Sequence, residues 1–148
     1  MIHKFTKNKY TIRALTSPYQ GMEHTVGKRT IGCFHTKQCP LCIAKYVRRA
    51  YWIIGLIDRE DNTAKIFRMG TAVFRELADL AKDVEWGDPM KYDIELELTH
   101  HGYVAEPLPK TALSIDDIRM QMNIDKAALL KLVEPIPLDR MEKLMVLL

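Results

Sequence analysis

The chain has 148 residues, 47% of them hydrophobic and 28% charged, which suits one compact domain with a small extension and excludes a wholly disordered chain. No run approaches the apolar length of a membrane helix, and the apolar patch near the start is too short and interrupted for a signal peptide, so no membrane partner is expected. The net charge of +3 conceals an asymmetry: residues 1–57 carry ten Lys or Arg against one acid, Glu23, whereas residues 58–148 carry twelve bases and eighteen acids. A one-sided positive field is the footprint of a polyanion binder, although a basic stretch can equally be a solvated face.

In chain order, KFTKNK reads as a basic arm or a solubilising end, and KYTIRAL and RTIGCFH read as short strands bracketed by Ser17-Pro18 and Gly27. The cysteine knuckle CFHTKQCPLC follows, and IAKYVRRAY places apolar residues and bases at helical spacing, so Cys42 leads into a helix or helical turn. Residues 51–57 and 63–69 form a predicted β-hairpin around the polar turn DREDN. TAVFRELADLAKDV has a clean 3.6-residue apolar period with Thr71 as its cap, and KYDIELEL alternates strictly as a strand. YVAEPL returns as its partner, with pairing ended at Pro107. Beyond Pro109, Ser114 and Asp117 make a capping box, Asn123 caps DKAALLKLV, and Pro137 precedes LDRMEKLMVLL. Four to six short strands, one inserted helix and trailing helices suit a mainly β barrel or an α+β domain, not a parallel βαβ sheet.

Cys33, Cys39 and Cys42 cannot all pair within one chain and fall inside ten residues, which points to a reducing compartment and a metal rather than to disulfides. Cys39-Pro-Leu-Cys42 can turn two thiolates onto one tetrahedral ion, with Cys33 in reach. The fourth ligand is His24 or His35; His24 is favoured because it comes from a separate segment, while His35 shares a cramped bite with Cys33. A thioredoxin-like redox pair would need a βαβ setting that is missing. Four protein ligands close the site, so the expected cofactor is one structural Zn2+.

Around the knuckle, Lys28, Arg29, Lys37, Lys45, Arg48 and Arg49 interleave with Phe34, Tyr46, Tyr51 and Trp52, and Arg68 follows in the second hairpin strand. Cations meet phosphates without reading sequence, and flat rings stack on unpaired bases, so single-stranded nucleic acid is the expected partner. Tyr51 and Trp52 alternate along their strand, which assigns one to the core and leaves the other as a platform. No HExxH or His-x-Glu is present, the acids of DRED and DVEWGD read as turns and helix-end charge, and no catalytic residue is expected.

His24…Cys33…Cys-Pro-Leu-Cys42, the Tyr51-Trp52 strand, the DRED turn, AKIFRMGTAVFRELADL and GDPMKYDIELEL together resemble, in order and type over residues 20–106, the T4-type bacteriophage single-stranded DNA-binding, or helix-destabilising, proteins. The resemblance implies an OB-like five-stranded barrel over residues 1–109, with a zinc subdomain at 24–50 propping an electropositive cleft. It also implies sequence-independent binding of single-stranded DNA in phage replication, recombination or repair, in the cytoplasm of an infected bacterial host. The family's acidic tail is replaced by the apolar end MEKLMVLL, so the helices of residues 110–148 are read as packing on the core, or as a surface for self-association or for replication proteins. A zinc-stabilised protein-interaction or transcription-adaptor module is the alternative.

Overall fold

A computed structural model describes residues 1–33 and 39–135. The strands run β1 (Ile2–Lys4), β2 (Lys9–Ala14), β3 (Tyr19–Val26), β4 (Arg29–Gly32), β5 (Arg48–Asp58), β6 (Thr63–Met69), β7 (Tyr92–Thr99) and β8 (Gly102–Lys110). The helices are α1 (Pro40–Ile43), α2 (Thr71–Lys82), α3 (Ile115–Asn123) and α4 (Lys126–Leu132). The path of the sheet is β1-β6-β5-β2-β7-β8, with β3 also on β5 and β4 on β3. Every pair is antiparallel except β1 with β6.

The eleven-residue β5 organises the molecule. Its first half pairs with β3, from Arg48 opposite His24 to Ile53 opposite Tyr19, and its end pairs with β2. Alternation along β5 feeds two cores on opposite faces. Trp52, Ile54 and Leu56 join Tyr10, Ile12, Ile94 and the α2 residues Val73 and Leu77 on one side. On the other, Ile53 packs with Leu129 and Val133 of the α4 segment. A partly buried polar network holds α3 in place: Arg13 Nε donates to Asp93 at 2.8 Å, and Arg59 bridges Asp93 at 3.2 Å and Asp117 at 2.9 Å.

The expected five-stranded barrel is not formed; the sheet is open. Closure would require the outer edges of β6 and β8 to meet. The β6 edge is taken by β1, and β8 lies against α2, where the Ala105 amide donates to the Glu76 carboxylate at 2.9 Å. Pro107 and Pro109 also lack the N–H groups that a further ladder on β8 would use.

Several local expectations change for identifiable reasons. The segment KFTKNK is not an arm: Ile2–Lys4 is a strand, and the Lys7 and Lys9 ammoniums pair with Glu60 and Glu95. Helical spacing in IAKYVRRAY ends at the single turn of α1, because Lys45 takes a left-handed conformation (φ 62°), and the chain is extended from Arg48. Gly70, not Thr71, stands at the N-cap of α2, and Asp125, not Asn123, caps α4. β8 continues through Pro107, absorbing it with a register shift between Tyr92 and Ile94. The Ser114–Asp117 capping box is formed in both directions. The segment LDRMEKLMVLL lies outside the described residues.

Candidate metal centre and its basic lobe

Three segments converge on one point. β3 contributes His24, the residue after β4 contributes Cys33, and α1 with its N-cap contributes Cys42 and Cys39. Gly27, at φ 60°, allows the two-residue turn that folds β4 back on β3, and the Cys33 amide extends that pairing by donating to the Met22 carbonyl at 2.9 Å. Pro40 begins α1, and the Tyr46 amide closes it by donating to the Leu41 carbonyl at 3.0 Å.

The ligand atoms of His24, Cys33, Cys39 and Cys42 all lie within 4.8 Å of one another. The Cys33 sulfur is 3.6 Å from that of Cys42 and 3.8 Å from that of Cys39, and His24 Nε2 is 3.3 Å from the Cys42 sulfur and 3.7 Å from that of Cys39. A zinc tetrahedron with ordinary Zn–S and Zn–N bonds has edges of about 3.8 Å between sulfurs and about 3.5 Å between sulfur and nitrogen. The observed edges fit that figure, and none is a disulfide. His24 Nδ1 lies 3.1 Å from the Val47 carbonyl and 3.2 Å from that of Tyr46, so Nδ1–H donates to backbone and Nε2 keeps its lone pair for the metal. His24, Cys33 and Cys39 are fully buried. The four residues therefore form a closed, structural Zn2+ site, with His24 as the fourth ligand; His35 lies outside the described residues.

The same scaffold presents five cations. Lys28 and Arg29 stand at the β3–β4 turn, Lys45 follows α1, and Arg48 and Arg49 open β5 on opposite faces. All five are exposed, and none has an ion-pair partner among the described residues. The lobe's one acid, Glu23, is engaged by the Arg68 guanidinium.

The proposed aromatic contacts separate. Trp52 is only 7% exposed and stacks on Phe74, with centroids 4.0 Å apart and planes 4° apart, so it belongs to the core. Tyr51 faces the other way, covering Gly21 so closely that a Cβ there would meet its ring, and its hydroxyl donates to the Leu132 carbonyl at 3.1 Å. Arg68 lies over the Tyr51 ring at 4.3 Å. Burial pushes the Tyr51 phenol up, against the opposing pull of Arg68. Tyr46 is on the lobe surface at 39% exposure, with Ile43 and Val47 exposed as well, two apolar residues that no local sequence pattern marks. Phe34 and Lys37 lie outside the described residues.

No family model matches the chain, and no curated protein matches it. The sheet is open, so the expected OB fold is absent, and no family model ties the chain to the phage DNA-binding proteins that it resembles. Among the described residues, no helix is long and apolar enough to cross a membrane.

Proposed function

We propose that the protein is a non-enzymatic binder of single-stranded nucleic acid, gripping phosphates through its zinc-clamped lobe. The observation that carries this is the set of five exposed cations, Lys28, Arg29, Lys45, Arg48 and Arg49, without ion-pair partners among the described residues, on a lobe whose one acid, Glu23, is engaged by Arg68. Such a lobe releases counterions from any phosphate backbone without reading its sequence. Tyr46, exposed on the same lobe, offers a ring on which an unpaired base can stack, which favours a single strand over a duplex. A thiolate-rich zinc site also fits a reducing compartment.

The test is a titration of a labelled 20-nucleotide single strand and of its duplex with the zinc-loaded protein. Tighter binding of the single strand supports the reading, and absence of binding to both overturns it. A second reading, a zinc-stabilised protein-interaction module, draws on the exposed stripe Ile115, Ile118 and Met122 of α3. A tight protein partner without single-strand affinity would favour it.

A further inference from the structure

The four metal ligands are not equally sheltered. Cys33, Cys39 and His24 are fully buried, whereas Cys42 is half-buried at the surface of the lobe. Zinc is held by cysteine thiolates, and Cys42 is the least sheltered of the three cysteines. Its neighbour across the metal, the Cys33 sulfur, is 3.6 Å away, and a disulfide requires the two to close to about 2.05 Å.

We infer that Cys42 is an oxidation site through which peroxide forms a Cys33–Cys42 disulfide and expels the zinc. The Cys42 thiolate attacks hydrogen peroxide, the O–O bond breaks, and a sulfenic acid and hydroxide result. The Cys33 thiolate then attacks the sulfenic sulfur, the S–S bond forms, and a second hydroxide leaves. Two sulfurs give up two electrons, one peroxide takes them, and two solvent protons convert the hydroxides to water. Zinc stays divalent throughout. Only Cys39 and His24 then remain as ligands, half of a tetrahedral set.

The consequence for binding rests on the function proposed above. His24 Nδ1 holds the Tyr46 and Val47 carbonyls, and α1 precedes Lys45, so loss of the metal loosens the segment that presents Lys45, Arg48 and Arg49. Oxidation thereby switches off the grip on phosphate.

The experiment adds hydrogen peroxide to the zinc-loaded full chain and follows zinc with a chromogenic chelator. Alkylated peptides are mapped by mass spectrometry, and a labelled single strand is titrated before and after. The expected result is one zinc released per chain, a Cys33–Cys42 linkage, at least a tenfold loss of affinity, and recovery with a thiol reductant and zinc. Zinc retained after peroxide, or release without that linkage, overturns the oxidation site whatever the nucleic-acid result. Release with the linkage but unchanged affinity instead overturns the lobe as the binding surface. The Cys42→His variant keeps four ligands. It should hold zinc against the same peroxide dose, and release at the parent rate would overturn Cys42 as the point of attack. If that variant binds no zinc, the linkage mapped in the parent chain decides.

Discussion

His24 joins the metal site to the basic face of the lobe: its Nδ1 lies 3.1 Å from the carbonyl oxygen of Val47, one residue before Arg48, while its Nε2 faces the cysteine sulfurs. One imidazole thus closes the zinc tetrahedron and anchors the backbone that turns from α1 into β5. His24→Ala should abolish zinc binding and the single-strand grip together. His24→Cys should keep zinc as a four-cysteine site yet lose the hydrogen bonds to Tyr46 and Val47. Elemental analysis with anisotropy separates the two effects, and a His24→Ala protein that retains one zinc per chain would contradict the ligand assignment.

Cys39→Ala should lose the metal and unfold the lobe while the main sheet survives, because metal binding here is folding energy. The core around Ile54, Leu56 and Ile94 contains no ligand. Amide exchange should therefore show protection lost in β3, β4 and the start of β5 and kept in β7. An undisturbed lobe after zinc removal would contradict the clamp.

Trp52 serves the core through its stack on Phe74. Trp52→Ala should cost about 3–5 kcal/mol of stability, the range for truncating a large buried aromatic. Trp52→Phe should fold and bind a single strand as the parent does. A folded Trp52→Phe protein with tenfold weaker binding would place this ring in the interface after all.

Asp117 holds α3 to the sheet through Arg59 and to its own N-terminus through Ser114. The Arg59 guanidinium is the main reason its carboxyl is held down to about 2 from an ordinary 3.8. A depressed carboxylate contributes stability that is complete above the unfolded value and disappears as pH falls through the folded one. The difference corresponds to about 2 kcal/mol at neutral pH. Asp117→Asn should lose about that amount at pH 7 and show a flatter stability profile between about pH 4 and 2, measured by urea unfolding across pH. Equal destabilisation at pH 7 and pH 2 would show that the carboxylate charge is not what matters.

The sequence made some of this legible for physical reasons. The apolar period of TAVFRELADLAK and the alternation of YDIELEL each reflect one face against the core, and both elements stand where those patterns put them. The metal site was legible because thiolate spacing is a local property and His24 had a free approach. The strand bearing His24 was not: YQGMEHTV has no clean alternation, since one end packs on the main sheet and the other wraps the metal lobe. That the sheet stays open was not legible either. It depends on three residues, Ile2–Lys4, settling parallel to β6, a long-range pairing with no local signature. Nor could alternation alone decide between Tyr51 and Trp52, because α4 covers one face of β5 and α2 the other.

Lys45 and Arg48 are exposed and without ion-pair partners among the described residues. Replacing both by Ala should weaken binding to all sequences alike and make the salt slope shallower by about 1.4, as each phosphate contact on a single strand contributes about 0.7. An unchanged slope would remove this pair from the interface.

The most direct measurement is the single-strand binding constant of the zinc-loaded protein over a series of salt concentrations. With three to five of the lobe's cations on phosphates, log K against log salt should fall with a slope of about −2 to −3.5. A slope near zero, at any affinity, would contradict a phosphate grip by this lobe.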